Sequence, residues 1–202
     1  MKRLLILLFI YLITLSKNVL AKENINYLNS SGYIFITKWG CEGYGDGQFD
    51  FPVGIAVDSQ GNVYVSDSGV NQCIKKFTSD GNFITKWGCE GYGDGQFLGP
   101  SDIAADSEGY VYVVDCSNDR IQKFDSNGNF ITRWGNLFNR DQVPKDGGDF
   151  DYNSPRLYAP IGVAVDSEGN IFVTDASIGI KKFTSNGNLL EEYGIFDLAR
   201  VY

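Results

Sequence analysis

One block of sequence is read three times. "FPVGIAVDSQGNVYVSDSGVNQCIKKFTSDGNFITKWG", "GPSDIAADSEGYVYVVDCSNDRIQKFDSNGNFITRWG" and "APIGVAVDSEGNIFVTDASIGIKKFTSNGNLLEEYG" align on Pro52, Pro100 and Pro160, at spacings of 48 and 60 residues. A period in the forties means a repeat architecture, in which each unit buries its apolar surface against its neighbours. Residues 53–57 alternate apolar side chains with the small Gly54 and Ala56, and "DSQGN" then turns the chain. Residues 63–65 are β-branched and aromatic and run up to Asp67; residues 74–77 follow, "TSDGN" turns again, and residues 83–87 close the unit. Four short antiparallel strands per repeat is the pattern of a β-propeller blade. The predicted class is therefore all-β, with full blades at about 52–88, 100–135 and 160–194 and a partial blade at 26–40. Gly54/Ala56 and Gly162/Ala164 suit an innermost strand crowded near an axis, a pattern that Asp102 breaks in the second copy.

The residues also carry a family likeness. The run from Pro52 to Asp67 and the run from Asp115 to Phe124, "DCSNDRIQKF", together resemble the NHL repeat, and the resemblance covers about residues 33–194. Cys73 stands where that repeat usually has Arg, and the third copy, "DASIGIKKF", lacks both its Asn and its Arg. The resemblance implies a ring of six blades, so three blades and a partial one make an incomplete propeller. Two chains joined as a homodimer would complete such a ring. The alternative is a fragment or decayed copy of a longer NHL protein.

The first stretch, "MKRLLILLFIYLITLSKNVLA", has Lys2 and Arg3, an apolar run from Leu4 to Ile13, and small Ala21 at its end. That is the order of a secretory signal peptide over residues 1–21, and an apolar run this short leaves no membrane span after cleavage. The expected location is secreted, extracellular or in the cell envelope. Cleavage would remove Lys2, Arg3 and Lys17 and no acidic residue, taking the formal charge from −8 to −11. So acidic a surface repels phosphate backbones, which argues against nucleic acid as a partner. Histidine is absent altogether. His-dependent acid–base chemistry, Ser-His-Asp triads and His-ligated zinc are excluded with it.

The fourteen residues "ITKWGCEGYGDGQF" occur at 36–49 and again unchanged at 84–97, joining the last strand of one unit to the first of the next. With strands alternating in direction, these connections and those between second and third strands fall on one face. Cys41, Cys73, Cys89 and Cys116 all lie there. An even cysteine count behind a signal peptide suggests disulfides. Co-occurrence of the cysteines within units favours Cys41–Cys73 and Cys89–Cys116, with Cys73–Cys89 as the competing pair. The same face carries Tyr44 and Asp46, their copies Tyr92 and Asp94, and an insertion of 13 residues after Gly135 that contains Phe150 and Tyr152. Aromatic residues on long loops mark recognition surfaces, so these six are the candidate binding residues. Asp146, Asp149 and Asp151 in that insertion offer oxygen ligands without the ordered spacing of a calcium loop. No cofactor is otherwise indicated.

Other recurring residues read as structural. Trp39, Trp87, Trp134 and Tyr193 are expected between blades, Asp58, Asp106 and Asp166 as turn caps, and the pairs Lys75-Lys76 and Lys181-Lys182 as solvated strand positions. The functional expectation is a non-catalytic binding or scaffold module using its loop-rich face for a protein or glycan. A metal-dependent hydrolase, lactonase or lyase-like enzyme, with Asp102 at a carboxylate-only calcium site, is the alternative.

Overall fold

The computed structural model describes residues 36–135, 156–176 and 179–194. The expected signal peptide, most of the expected partial blade and the insertion with Phe150 and Tyr152 lie outside the described residues. Two short strands come first, β1 (Cys41–Glu42) and β2 (Gln48–Phe49). Three four-stranded sheets follow. The first blade is β3 (Pro52–Val57), β4 (Val63–Asp67), β5 (Cys73–Phe77) and β6 (Phe83–Trp87). The second is β7 (Pro100–Ala105), β8 (Val111–Asp115), β9 (Arg120–Phe124) and β10 (Phe130–Trp134). The third is β11 (Pro160–Val165), β12 (Ile171–Asp175), β13 (Gly179–Phe183) and β14 (Leu189–Gly194). Each is an antiparallel meander in chain order.

The hairpin between the first two strands of each blade closes on one aspartate. Asp58 Oδ1 accepts from the amides of Gln60 (2.9 Å) and Asn62 (2.8 Å), and its Oδ2 from the Tyr64 hydroxyl (3.0 Å). Asp106 repeats this with Glu108, Tyr110 and Tyr112, and Asp166 caps Glu168 and Asn170. A carboxylate that binds its own chain two and four residues on stabilises the turn and leaves its peptide groups satisfied.

β7 packs between β3 and β11, so the first strands of the three blades stand side by side. A Cβ on Gly54 would lie 2.7 Å from the Cα of Asp102, which is why this strand needs small residues. Asp102 itself fits because its carboxylate crosses to the next blade and accepts from the Val163 amide at 2.9 Å.

The blades are joined by tryptophan. Trp87 meets Tyr64 of its own blade edge-on (centroids 6.1 Å) and Phe124 of the next (5.8 Å). Trp134 does the same with Tyr112 (6.3 Å) and Phe183 (6.0 Å), and Trp39 lies on Phe77 (4.7 Å). Beneath the Trp87 indole is the turn glycine Gly128, where a Cβ would come within 2.6 Å of the ring. The second and third strands of the first two blades are buried along their whole length: the second blade has a blade on each side, and the first has the second blade on one side and Trp39 and Phe49 on the other.

The third blade differs on the face pointing away from the second. Ile74 and Ile121 are wholly buried, whereas their counterpart Ile180 is 41% exposed and Tyr193, at the tryptophan position, is 47% exposed. This face has the residue types of a blade junction and, among the described residues, no blade upon it.

Candidate interaction face

In a four-stranded meander, the connection between second and third strands and the connection to the next blade emerge at the same end. The opposite end, called here the lower face, consists of the Asp-capped turns and their counterparts between third and fourth strands. The upper face is built differently. There the duplicated sequence folds twice into one shape.

In the first copy, Cys41 and Glu42 pair in parallel with Gln48 and Phe49. Gly43 N donates to Phe49 O (3.0 Å), and Gln48 N to Gly45 O (3.2 Å). The Gln48 side chain fills the loop, taking the Gly45 amide on Oε1 (2.9 Å) and donating from Nε2 to Cys41 Sγ (3.6 Å). In the second copy Gly91, Phe97, Gln96, Gly93 and Cys89 repeat every one of these bonds within 0.1 Å. Buried Phe49 and Phe97 anchor the two loops. At their rims, Asp46 pairs with Lys86 (2.9 Å) and Asp94 with Arg133 (3.1 Å), ion pairs that are half exposed and therefore worth about 0–1 kcal/mol each.

Below each loop lies a buried cation. In the second blade Arg120 bonds the Asp115 carboxylate through Nε (2.7 Å) and the carbonyls of Tyr92, Gly93 and Gln96 through its terminal nitrogens (2.8–2.9 Å). Gln122 adds a bond to Gln96 O at 2.7 Å. Cys73 occupies the Arg120 position in the first blade, since Asp67 pairs with Cys73 as Asp115 does with Arg120. The charge there comes instead from Lys75, two residues along the same side of β5. Its Nζ donates to Asp67 Oδ2 (2.8 Å), Gly45 O (3.4 Å) and Gln48 O. In the third blade Gly179 takes the arginine position, and Lys181 reaches the Arg156 carbonyl (2.7 Å) and Glu192 (2.9 Å). The lysine pairs are thus not solvated as the sequence suggested. Lys75, Lys76 and Lys181 are buried, and Lys76 crosses to the next blade to donate to Ser126 O at 2.9 Å.

The two strand-end aspartates respond in opposite ways. Burial alone would raise Asp67, but donors from Lys75, the Phe51 amide, Asn71 and the Asp50 amide outweigh it and hold the carboxyl below its usual range. Asp115 is buried more deeply, and there burial wins over the bonds from Leu98, Asn118 and Arg120, so its carboxyl lies above the usual range.

The cysteines do not form the expected pairs; all four are free thiols. Cys41 and Cys89 are equivalent positions of one loop shape, whereas Cys73 begins β5 and Cys116 lies in the short 3-10 turn (Cys116–Asn118) before β9. Cys41 and Cys89 are exposed, whereas burial pushes the Cys73 thiol up to about 11.

Of the candidate binding residues, Tyr44 and Tyr92 stand out from the upper face at 61% and 72% exposure. Asp46 and Asp94 lie beside them, tied into the rim pairs. The structure adds exposed Phe51, Val70 and Tyr158 on the same face. Tyr158 belongs to the aromatic-rich insertion read from the sequence, whereas no motif singles out Phe51 or Val70. Their signal is positional: each lies in an upper-face connection. Toward the lower end the exposed large apolar side chains are Val57, last in β3, and Ile84, Ile131 and Leu190, second in β6, β10 and β14; none of them is aromatic. Those residues also include no group of three or more Cys, Asp or Glu placed to hold a metal ion, and no helix long and apolar enough to cross a membrane.

Comparison with known proteins follows the same lines. The NHL repeat profile matches residues 49–77 and 97–124, which run from the loop phenylalanine to the end of the third strand in the first two blades. A crystal structure of a "Putative exported protein" from Bacteroides fragilis NCTC 9343 superposes with a TM-score of 0.52 at 13% identity, covering 76% of this chain and 40% of that one. A catalytically inactive virginiamycin B lyase from Staphylococcus aureus with quinupristin gives a TM-score of 0.49 at 18% identity, covering 72% and 41%. The chain spans about two fifths of the length of either structure. No curated protein matches it significantly in sequence. The chain thus carries NHL repeats at two positions, in four-stranded blades that stack through tryptophan with the architecture of an incomplete β-propeller.

Proposed function

We propose that the chain is a non-catalytic binding module, acting outside the cell or in the cell envelope, that captures a protein or glycan on its upper face. The asymmetry of its two ends supports this reading. One end is made of capped polar turns; the other presents Tyr44, Phe51, Val70, Tyr92 and Tyr158 to solvent. The exposed aromatics Tyr44, Phe51, Tyr92 and Tyr158 all lie on this face and none toward the other end, and aromatic enrichment is a mark of an interface core. The clamps beneath the loops add to it, since a surface already held in shape loses little conformational freedom on binding.

The test compares cross-linked partners recovered from cell-envelope material by the unaltered protein and by two variants. Phe51→Asp is expected to lose the specific partner, and Val57→Asp, on the lower face, to retain it. Equal recovery by both variants, each verified as folded, would place the binding surface elsewhere.

A further inference from the structure

Resting on that reading, we infer that the two identical loops are paired subsites for a linear polysaccharide bearing repeated primary ammonium groups, a polymer of glucosamine type. Tyr44 lies between Gly43 and Gly45, and Tyr92 between Gly91 and Gly93, so no adjacent side chain covers either ring. Neither ring stacks on another aromatic ring among the described residues, and both are largely exposed. The face of a phenol ring attracts a cation. Two residues before each tyrosine, Glu42 and Glu90 are exposed carboxylates with no ion-pair partner among the described residues. The cations nearby, Lys86 and Arg133, are already paired with Asp46 and Asp94. Each loop therefore offers a ring and an unneutralised carboxylate, a combination that suits an ammonium group.

The backbone argues for sugar over peptide. An extended peptide docks by exchanging main-chain hydrogen bonds with an exposed edge. In the first loop the amides of Gly43, Gly45 and Gln48 are occupied inside the loop, and the carbonyls of Gly45 and Gln48 by Lys75. In the second, Arg120 holds the carbonyls of Tyr92, Gly93 and Gln96. A pyranose needs none of these, because its C–H face lies on the phenol while its amino group meets the glutamate.

Duplication supplies the selectivity for a polymer. Two equal subsites fixed on adjacent blades turn a second contact into an intramolecular one, so a ligand with repeated units gains avidity that a single unit does not.

The experiment is calorimetric titration of the full chain with glucosamine oligomers of two to ten units. Short oligomers are expected to fill two equivalent weak sites. At a length that spans both loops, affinity should rise by about tenfold or more and stoichiometry fall to one oligomer per chain. Tyr44→Ala and Tyr92→Ala should each abolish that step to the same extent, with near-ultraviolet circular dichroism confirming an unchanged fold. Fully N-acetylated oligomers should bind at least tenfold more weakly. A smooth rise with length, unequal effects of the two tyrosines, undiminished binding of acetylated oligomers, or tighter binding of oligolysine of equal charge would each overturn the inference. Partner capture that survives both tyrosine variants but is lost in Phe51→Asp would leave the binding-face reading standing while removing this one.

Discussion

Asp67 and Lys75 form a wholly buried ion pair, and its energetics are asymmetric. Removing one partner strands the other charge in a low-dielectric interior, at a typical cost of about 3–5 kcal/mol. Lys75→Gln should therefore lower the urea midpoint markedly. The second blade suggests the remedy: Cys73→Arg combined with Lys75→Gln recreates the Arg120–Gln122 arrangement and should recover most of the loss. Failure of the double variant to recover would mean that the two cation positions are not interchangeable. The depressed Asp67 carboxyl has a pH consequence of definite sign. Its contribution is complete above the ordinary aspartate range near pH ~4 and is lost as pH falls through the lower folded value. Replacing both charges, as Asp67→Asn with Lys75→Met, should flatten the dependence of the urea midpoint on pH between about 5 and 2, a slope to which Asp115 contributes with opposite sign. The thiols separate just as clearly. Brief alkylation of the native protein, read by peptide mass spectrometry, should label Cys41 and Cys89 and spare Cys73 until unfolding. A Cys41–Cys73 or Cys89–Cys116 linked peptide in unreduced protein would contradict the free-thiol arrangement.

At the scale of strands and turns, two glycines give a controlled comparison. Gly109 and Gly128 have nearly the same backbone, with φ of +90° and +88°, but a Cβ at Gly109 meets nothing closer than 3.9 Å whereas one at Gly128 strikes the Trp87 indole. Gly109→Ala should cost only the left-handed strain of about 1–2 kcal/mol. Gly128→Ala should cost clearly more, about 2–4 kcal/mol, and change tryptophan emission as Trp87 is displaced. Equal losses by urea denaturation would mean that the indole yields freely. The strands themselves were legible in sequence because turn chemistry is local: "DSQGN" and "TSDGN" specify their hairpins whatever surrounds them. Burial of Lys75 was not legible. Reasoning from strand alternation assigns one face to solvent, as holds for β6 and β10, but β9 has a blade on each side and β5 has a blade on one side and the segment carrying Trp39 and Phe49 on the other, so neither obeys it. The placement of the cysteines was not legible for a related reason, since one residue more or less in a turn decides whether a cysteine caps a strand or begins the next.

For the whole molecule, the open face of the third blade dictates behaviour in solution. Ile121→Glu puts a charge into a filled blade junction and should prevent folding. Ile180→Glu, at the same place in the third blade, should leave the folding of a single chain nearly unchanged. If a second chain covers that face to complete a six-bladed ring, light scattering after size exclusion should give a discrete dimer that Ile180→Glu converts to monomer. A cooperatively folding monomer of the unaltered chain would rule the ring out. The indoles of Trp87 and Trp134 are each carried by one sheet and seated in the turn of the next, so the joint belongs to neither blade alone. A duplicated segment of 48 residues cut within the shared loop therefore brings both halves of a new joint with it and disturbs no existing one. Such a chain can be lengthened or shortened by whole blades while every seam stays intact, which gives a family of this construction a ready path to differing blade numbers.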